Sequence, residues 1–121
     1  RLAGCIMRVT SALWVGAQIR RCFGQGAMAA VMRHGADEAG AILVVVDRLD
    51  GTVDLYGPAP QSAFTETRPS DRLFHRLIEK AAREVVQKRI DSELRFDPDL
   101  FLIEIDEPRD RHLLAIAPED S

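Results

Sequence analysis

The sequence predicts an α+β fold: a two-layer sandwich in which a mostly antiparallel sheet of four to six strands carries two helices on one face. Three observations carry this prediction. Apolar residues recur at helical spacing through residues 11–24, as on a helix that buries one side. The run "AILVVVDR" is β-branched and almost wholly apolar, and Asp50-Gly51 follows it as a hairpin signal. The stretch "DLFLIEID" alternates as a strand with one buried face does.

The first helix begins at Thr10 or Ser11, whose hydroxyl can accept a bond from an orphan amide of the first turn. Ala12, Val15, Ile19, Cys22 and Phe23 form its apolar stripe, Trp14 flanks them, and Gly24 and Gly26 end it. "AMAAVMRHG" then reads as a strand and "GADEAG" as a loop. "AILVVV" is a central strand covered on both faces, by the helices and by a candidate second subunit. "TVDLYG" returns after the Asp50-Gly51 turn, which predicts an antiparallel three-strand meander.

"GPAPQSAFTETRPS" is a proline-rich loop with room for a short edge strand around Ala63–Glu66. The segment from Asp71 to Leu94 fits two patterns. One long helix capped by Ser70 is the first; a strand over Leu73–Ile78 followed by a helix over about Ala81–Leu94 is the second. Pro98 stops the helix at Asp97, because the residue before a proline is pushed out of the helical region. A strand over about residues 99–106 follows, and "HLLAI" is apolar enough to dock on the domain.

With 121 residues the chain makes one domain, expected over residues 7–121, with residues 1–6 as a disordered extension. A formal net charge of −3 makes nucleic acid an unexpected partner, because such binders carry a basic balance. The longest uninterrupted apolar runs, Ala27 to Met32 and Ala41 to Val46, are too short to cross a bilayer, so no membrane role is expected. Cys5 and Cys22 have no CxxC spacing and read as free thiols of a reducing cytoplasm.

The stretch "RFDPDLFLIEIDEP" holds the densest acidic chemistry, with Asp97, Asp99, Glu104 and Asp106 as candidate metal or acid/base residues. Hard cations need several carboxylate oxygens around one point. Along one strand the two pairs point to opposite faces, and Asp99 lies roughly 16 Å from Glu104 at about 3.3 Å per residue. The four therefore cannot make a site alone, and partners such as Asp37, Glu38 or His112 would be needed. The plainer reading is turn chemistry at "FDPD", with Phe96 packed under the corner, and a strand end emerging into water.

His34, His75 and His112 lack metal-ligand spacing, and Cys22 sits on an apolar stripe where a thiol is inert. Arg20, Arg21, Arg33 and Arg48 are candidates for a small basic patch, with pairing to the abundant acids as the simpler reading. In "LYGPAPQ", Tyr56, Pro58 and Pro60 are candidate partner-binding residues, since prolines pre-order a loop and lower the entropic cost of recognition.

The segments "MRVTSALWVGAQIRR", "RHGADEAGAILVVVDRLDG", "LYGPAPQ" and "RFDPDLFLIEID" resemble, in that order, the bacterial family called domain of unknown function 1491. The likeness runs over roughly Met7 to Asp106, with "RFDPDL" its most specific part. Phe101 stands where members often carry Trp. The resemblance implies a small bacterial protein with no assigned activity and supplies no catalytic or ligand residue. It also implies a strand at Leu73–Ile78 with a shorter helix after it.

The leading expectation is a non-enzymatic binding or assembly module, with a homodimer or an unidentified protein as partner and no cofactor. The alternatives are a small metal-binding protein or hydrolase using carboxylates near "FDPD", and a weak nucleic-acid-associated protein.

Overall fold

The computed structural model describes residues 10–59, 72–107 and 114–116. Helix α1, Ser11–Gly24, is capped by Thr10, whose hydroxyl accepts the Leu13 amide. The amides of Ser11 and Ala12 donate to the carbonyls of Glu38 and Asp37, so the loop before the central strand closes the helix end.

The strands are β1 (Met28–Arg33), β2 (Ile42–Asp47), β3 (Val53–Pro58), β4 (Leu73–Ala81), β5 (Phe101–Asp106) and β6 (Ala115–Ile116). Helix α2, Arg83–Phe96, links β4 to β5. The segment with two fitting patterns is therefore strand then helix, as the family likeness implied. The stretch around Ala63–Glu66 lies outside the described residues, as do residues 1–9.

One six-stranded sheet has the order β1-β5-β2-β3-β4-β6. The hairpin β2–β3 forms as expected, with Gly51 at φ 93° in its turn and Leu49 at φ 62°. Asp50 accepts bonds from the amide and hydroxyl of Thr52, which hold its carboxyl below the usual range. The three-strand meander does not form. β5 inserts between β1 and β2, antiparallel to β1 and parallel to β2. β2 needs an apolar neighbour on each edge, and the alternating β5 supplies it where the more exposed β1 does not. The apolar tail docks as β6, parallel to β4, with Leu114 buried.

The α+β class and the mostly antiparallel sheet stand, but the helices lie on opposite faces. Ile42, Val44, Val46, Phe101, Ile103 and Ile105 pack with Trp14, Val15 and Cys22 of α1. Leu43, Val45, Val53, Leu55 and Leu100 pack with Val86 and Ile90 of α2. A strand apolar on both sides needs cover on both sides, and two helices on one face would leave Leu43 and Val45 in water. β2 thus needs no second subunit to bury it. Trp14 meets Phe74 with ring centroids 5.3 Å apart. Among the described residues no helix is long and apolar enough to cross a membrane.

Candidate functional site

The parallel register of β2 and β5 sets Val45 beside Glu104 and Asp47 beside Asp106. All four residues point to the α2 face, and the last turn of each strand there is carboxylate. Oxygens of Asp47, Glu104 and Asp106 lie within 4.8 Å of one another. Arg83, the first residue of α2, reaches into this group. Its Nη2 donates to Asp47 Oδ2 at 2.9 Å and to Glu104 Oε2 at 3.0 Å, and Nη1 donates to Glu104 Oε1 at 3.3 Å. Asp47 Oδ1 meanwhile accepts the Leu49 amide and anchors the β2–β3 turn.

A cation at a helix N-terminus opposes the helix dipole, so Arg83 is held there by the acids. The bonds it donates to Glu104 and the charges of both acids hold its guanidinium more firmly protonated than usual. Asp106 shifts the other way. Loss of water by burial and the adjacent charges of Glu104 and Asp47 push its carboxyl above the usual range, and Arg83 offsets only part of this. Three acids thus share one guanidinium.

Three carboxylates this close form a donor set for a hard divalent cation. Arg83 already binds one oxygen of Asp47 and both of Glu104, however, and supplies positive charge at the same place. The arrangement chiefly ties α2 to the sheet.

The acids also floor a groove. α2 lies over β3 and β4, and among the described residues nothing is seen to cover the same sheet face at β1. Met28 pairs with Asp106 and Ala30 with Glu104 across β1 and β5. These four residues and Met32 line an open groove of about 250 Å³. Met28 is 62% and Met32 58% exposed.

The candidates read from the sequence separate accordingly. Glu104 and Asp106 join the cluster, while Asp97 and Asp99 lie at the opposite end of β5. Asp97 Oδ1 accepts the Asp99 amide at 3.1 Å, which is the expected turn chemistry. Asp37 and Glu38, weighed as further ligands, belong to the loop that caps α1, and His112 lies outside the described residues. Phe96 does not pack under the corner: it is 87% exposed, and Leu100 is buried there instead. The loop 34–40 closes on this corner, where the Ala36 amide donates to the Asp99 carbonyl and Arg33 donates to that of Pro98.

Tyr56 is 3% exposed in the α1-face core, because it sits opposite Val44 in the β2–β3 pair, so its side chain is not offered to a partner. Pro58 is exposed at the end of β3, and Pro60 lies outside the described residues. The candidate basic patch loses Arg48, which is buried and pairs with the fully buried Asp54 at 3.2 Å, the simpler reading of an arginine among acids. Cys22 is buried, its thiol pKa is raised by that burial, and Cys5 lies outside the described residues. Sequence reading missed Asp47 and Arg83. No local spacing marks them, since Arg83 is 36 residues from Asp47 and 21 from Glu104.

Fold and site together define a small α/β/α-layered domain with an acid-floored groove at one sheet edge. The chain belongs to the DUF1491 family, proteins of unknown function, whose model matches residues 9–115. A protein of A. tumefaciens solved in solution is similar at 37% identity and TM-score 0.80, over 95% of this chain and 99% of that one. A DUF1491 family protein of Caulobacter crescentus is similar in its crystal structure at 32% identity and TM-score 0.73, over 95% of this chain and 100% of that one. An NMR structure of a DUF1491 family protein from the same organism gives 30% identity and TM-score 0.71, over 93% and 99% of the two chains. Comparison with curated proteins gives no match.

Proposed function

We propose that this protein is a non-enzymatic binding module whose contact face is the uncovered sheet surface of β1 and β5. One observation carries the reading: Met28 and Met32 stand exposed beside a groove floored by Glu104 and Asp106, on a sheet face that α2 covers elsewhere. Exposed apolar side chains rimmed by charge are the composition of a contact surface. Methionine, unbranched and polarisable, suits a surface that must fit another molecule. The buried Cys22 thiol, its pKa raised, is not poised as a nucleophile.

The test is affinity capture from the native host with the wild-type protein and with the Met28→Lys, Met32→Lys double variant as baits. A defined protein recovered by the first and lost with the second supports the reading. Recovery that ignores the two lysines removes β1 from it.

A second reading, a divalent-cation site at Asp47, Glu104 and Asp106, rests on their mutual approach within 4.8 Å. Calorimetric titration with Mg²⁺, Mn²⁺ and Ca²⁺ decides it. Binding that disappears in Asp106→Asn supports the cation site, and no heat from any of the three ions removes it.

A further inference from the structure

We infer that the partner is an extended protein segment that adds to β1 as a further strand and delivers a Lys or Arg side chain to Asp106 and Glu104. This rests on the reading of the β1–β5 face as a binding surface and names the chemistry of its occupant.

The backbone argument starts from the edge. β1 is the terminal strand of the sheet, so among the described residues its outer row of N–H and C=O groups has no strand partner. Edge strands are ordinarily guarded by lysine, proline or charge within the strand. In "MAAVMR" the one such residue is Arg33, and it and the register irregularity between Val31 and Arg33 protect only the far end. Ala29 and Ala30 leave room for a close neighbour, and Val31 is 42% exposed on the opposite face. The length left regular, Met28 to Val31, suits a short added segment.

The charge argument fixes the side chain. Asp47, Glu104 and Asp106 carry three carboxylates against the one guanidinium of Arg83. Crowding of like charge is felt at Asp106, which lies directly across from Met28. A strand added outside β1 lies two strand spacings, roughly 10 Å, from β5. Lys and Arg combine that reach with an apolar stem that can run along Met28 and Met32 and a cationic head that meets the acids.

The same argument weighs against a second copy of this chain. β1 paired with itself would present Met28, Ala30 and Met32 on the groove face, and its one cation, Arg33, already donates to the Pro98 carbonyl. It would also bring a second acid cluster and leave the charge of both uncompensated.

The experiment is selection from a displayed library of random eight-residue peptides, on the full chain and on the Glu104→Gln, Asp106→Asn variant. Light scattering runs in parallel. Enrichment of alternating apolar residues with Lys or Arg at one alternating position is expected. Binding should fall about tenfold in the amide variant, as expected for a charge-assisted contact, and vanish with Met28→Lys, Met32→Lys. Near-native thermal transitions of both variants show that they are folded. Enriched peptides without a basic position, or affinity unchanged in the amide variant, overturn the inference and leave the binding surface standing. A dimer that loses self-association with the two lysines overturns it in favour of a second copy. A monomer that enriches nothing overturns both the inference and the binding reading.

Discussion

Asp47 and Asp106 stand directly opposite one another in the parallel pair β2–β5, two carboxylates at adjacent strand ends. Like charges so placed disfavour the sheet. Arg83 bridges the group through Asp47 and Glu104, and Asp106 carries the residual strain as a raised pKa. The repulsion is thus partly offset within the chain, and the remainder faces the groove.

Replacing the bridge exposes the repulsion. Arg83→Met should destabilise the fold by about 1 kcal/mol at pH 7, the scale of a half-exposed ion-pair network. The loss should shrink in high salt, which screens a half-exposed network, and urea unfolding at low and high salt measures it.

Asp106→Asn should act in the opposite direction. The folded-state pKa of Asp106 lies above its ordinary 3.8, so between those values the folded chain holds a proton that the unfolded chain releases. Its favourable contribution is complete below about 3.8 and is lost as pH rises through the raised value. The asparagine variant should therefore melt higher at pH 7, by about 1–3 °C, and match wild type near pH 3. Paired thermal scans across this range give the comparison.

Two glycines should respond with opposite signs. A Cβ on Gly35 would lie 2.3 Å from the Asp99 carbonyl oxygen and 2.6 Å from the Leu100 carbonyl carbon. This backbone cannot yield cheaply, so Gly35→Ala should cost about 1–3 kcal/mol. On Gly16 the nearest contact is the tip of Arg20 at 3.6 Å, within α1, so Gly16→Ala should stabilise by about 0.5–1 kcal/mol. Chemical unfolding of both variants checks the contrast.

Asp54 is fully buried, accepts the Lys80 amide at 2.7 Å and pairs with Arg48. Arg48→Met leaves that carboxylate without its cation and should cost about 3 kcal/mol at pH 7. Arg48→Met with Asp54→Leu should recover part of the loss, although the Lys80 amide then loses its acceptor. A double-mutant cycle by urea unfolding reads the coupling.

Local signals made much of the fold legible. α1 is marked by its cap and apolar stripe, β2 by its unbroken apolar run, and the hairpin by Asp50-Gly51, and each formed where its residues put it. Topology was harder, because strand order is a long-range choice. Nothing local to Phe101–Asp106 says that it pairs in parallel with Ile42–Asp47 and displaces β1 to the edge. That one pairing also decides the site. It separates Glu104 and Asp106 from the "FDPD" corner and unites them with Asp47 and Arg83. The "LYGPAPQ" segment misled in the other direction: its prolines suggested a presented loop, but Tyr56 belongs to a central strand and packs inward.

The most direct measurement is a backbone-amide NMR titration with a blocked eight-residue peptide of alternating valine and lysine. Strand addition at β1 predicts shifts concentrated on Met28–Arg33 and on Leu102 to Asp106, smaller in the Glu104→Gln, Asp106→Asn variant. Shifts centred on α1 or on β4 and β6, or a spectrum unmoved at millimolar peptide, would contradict it.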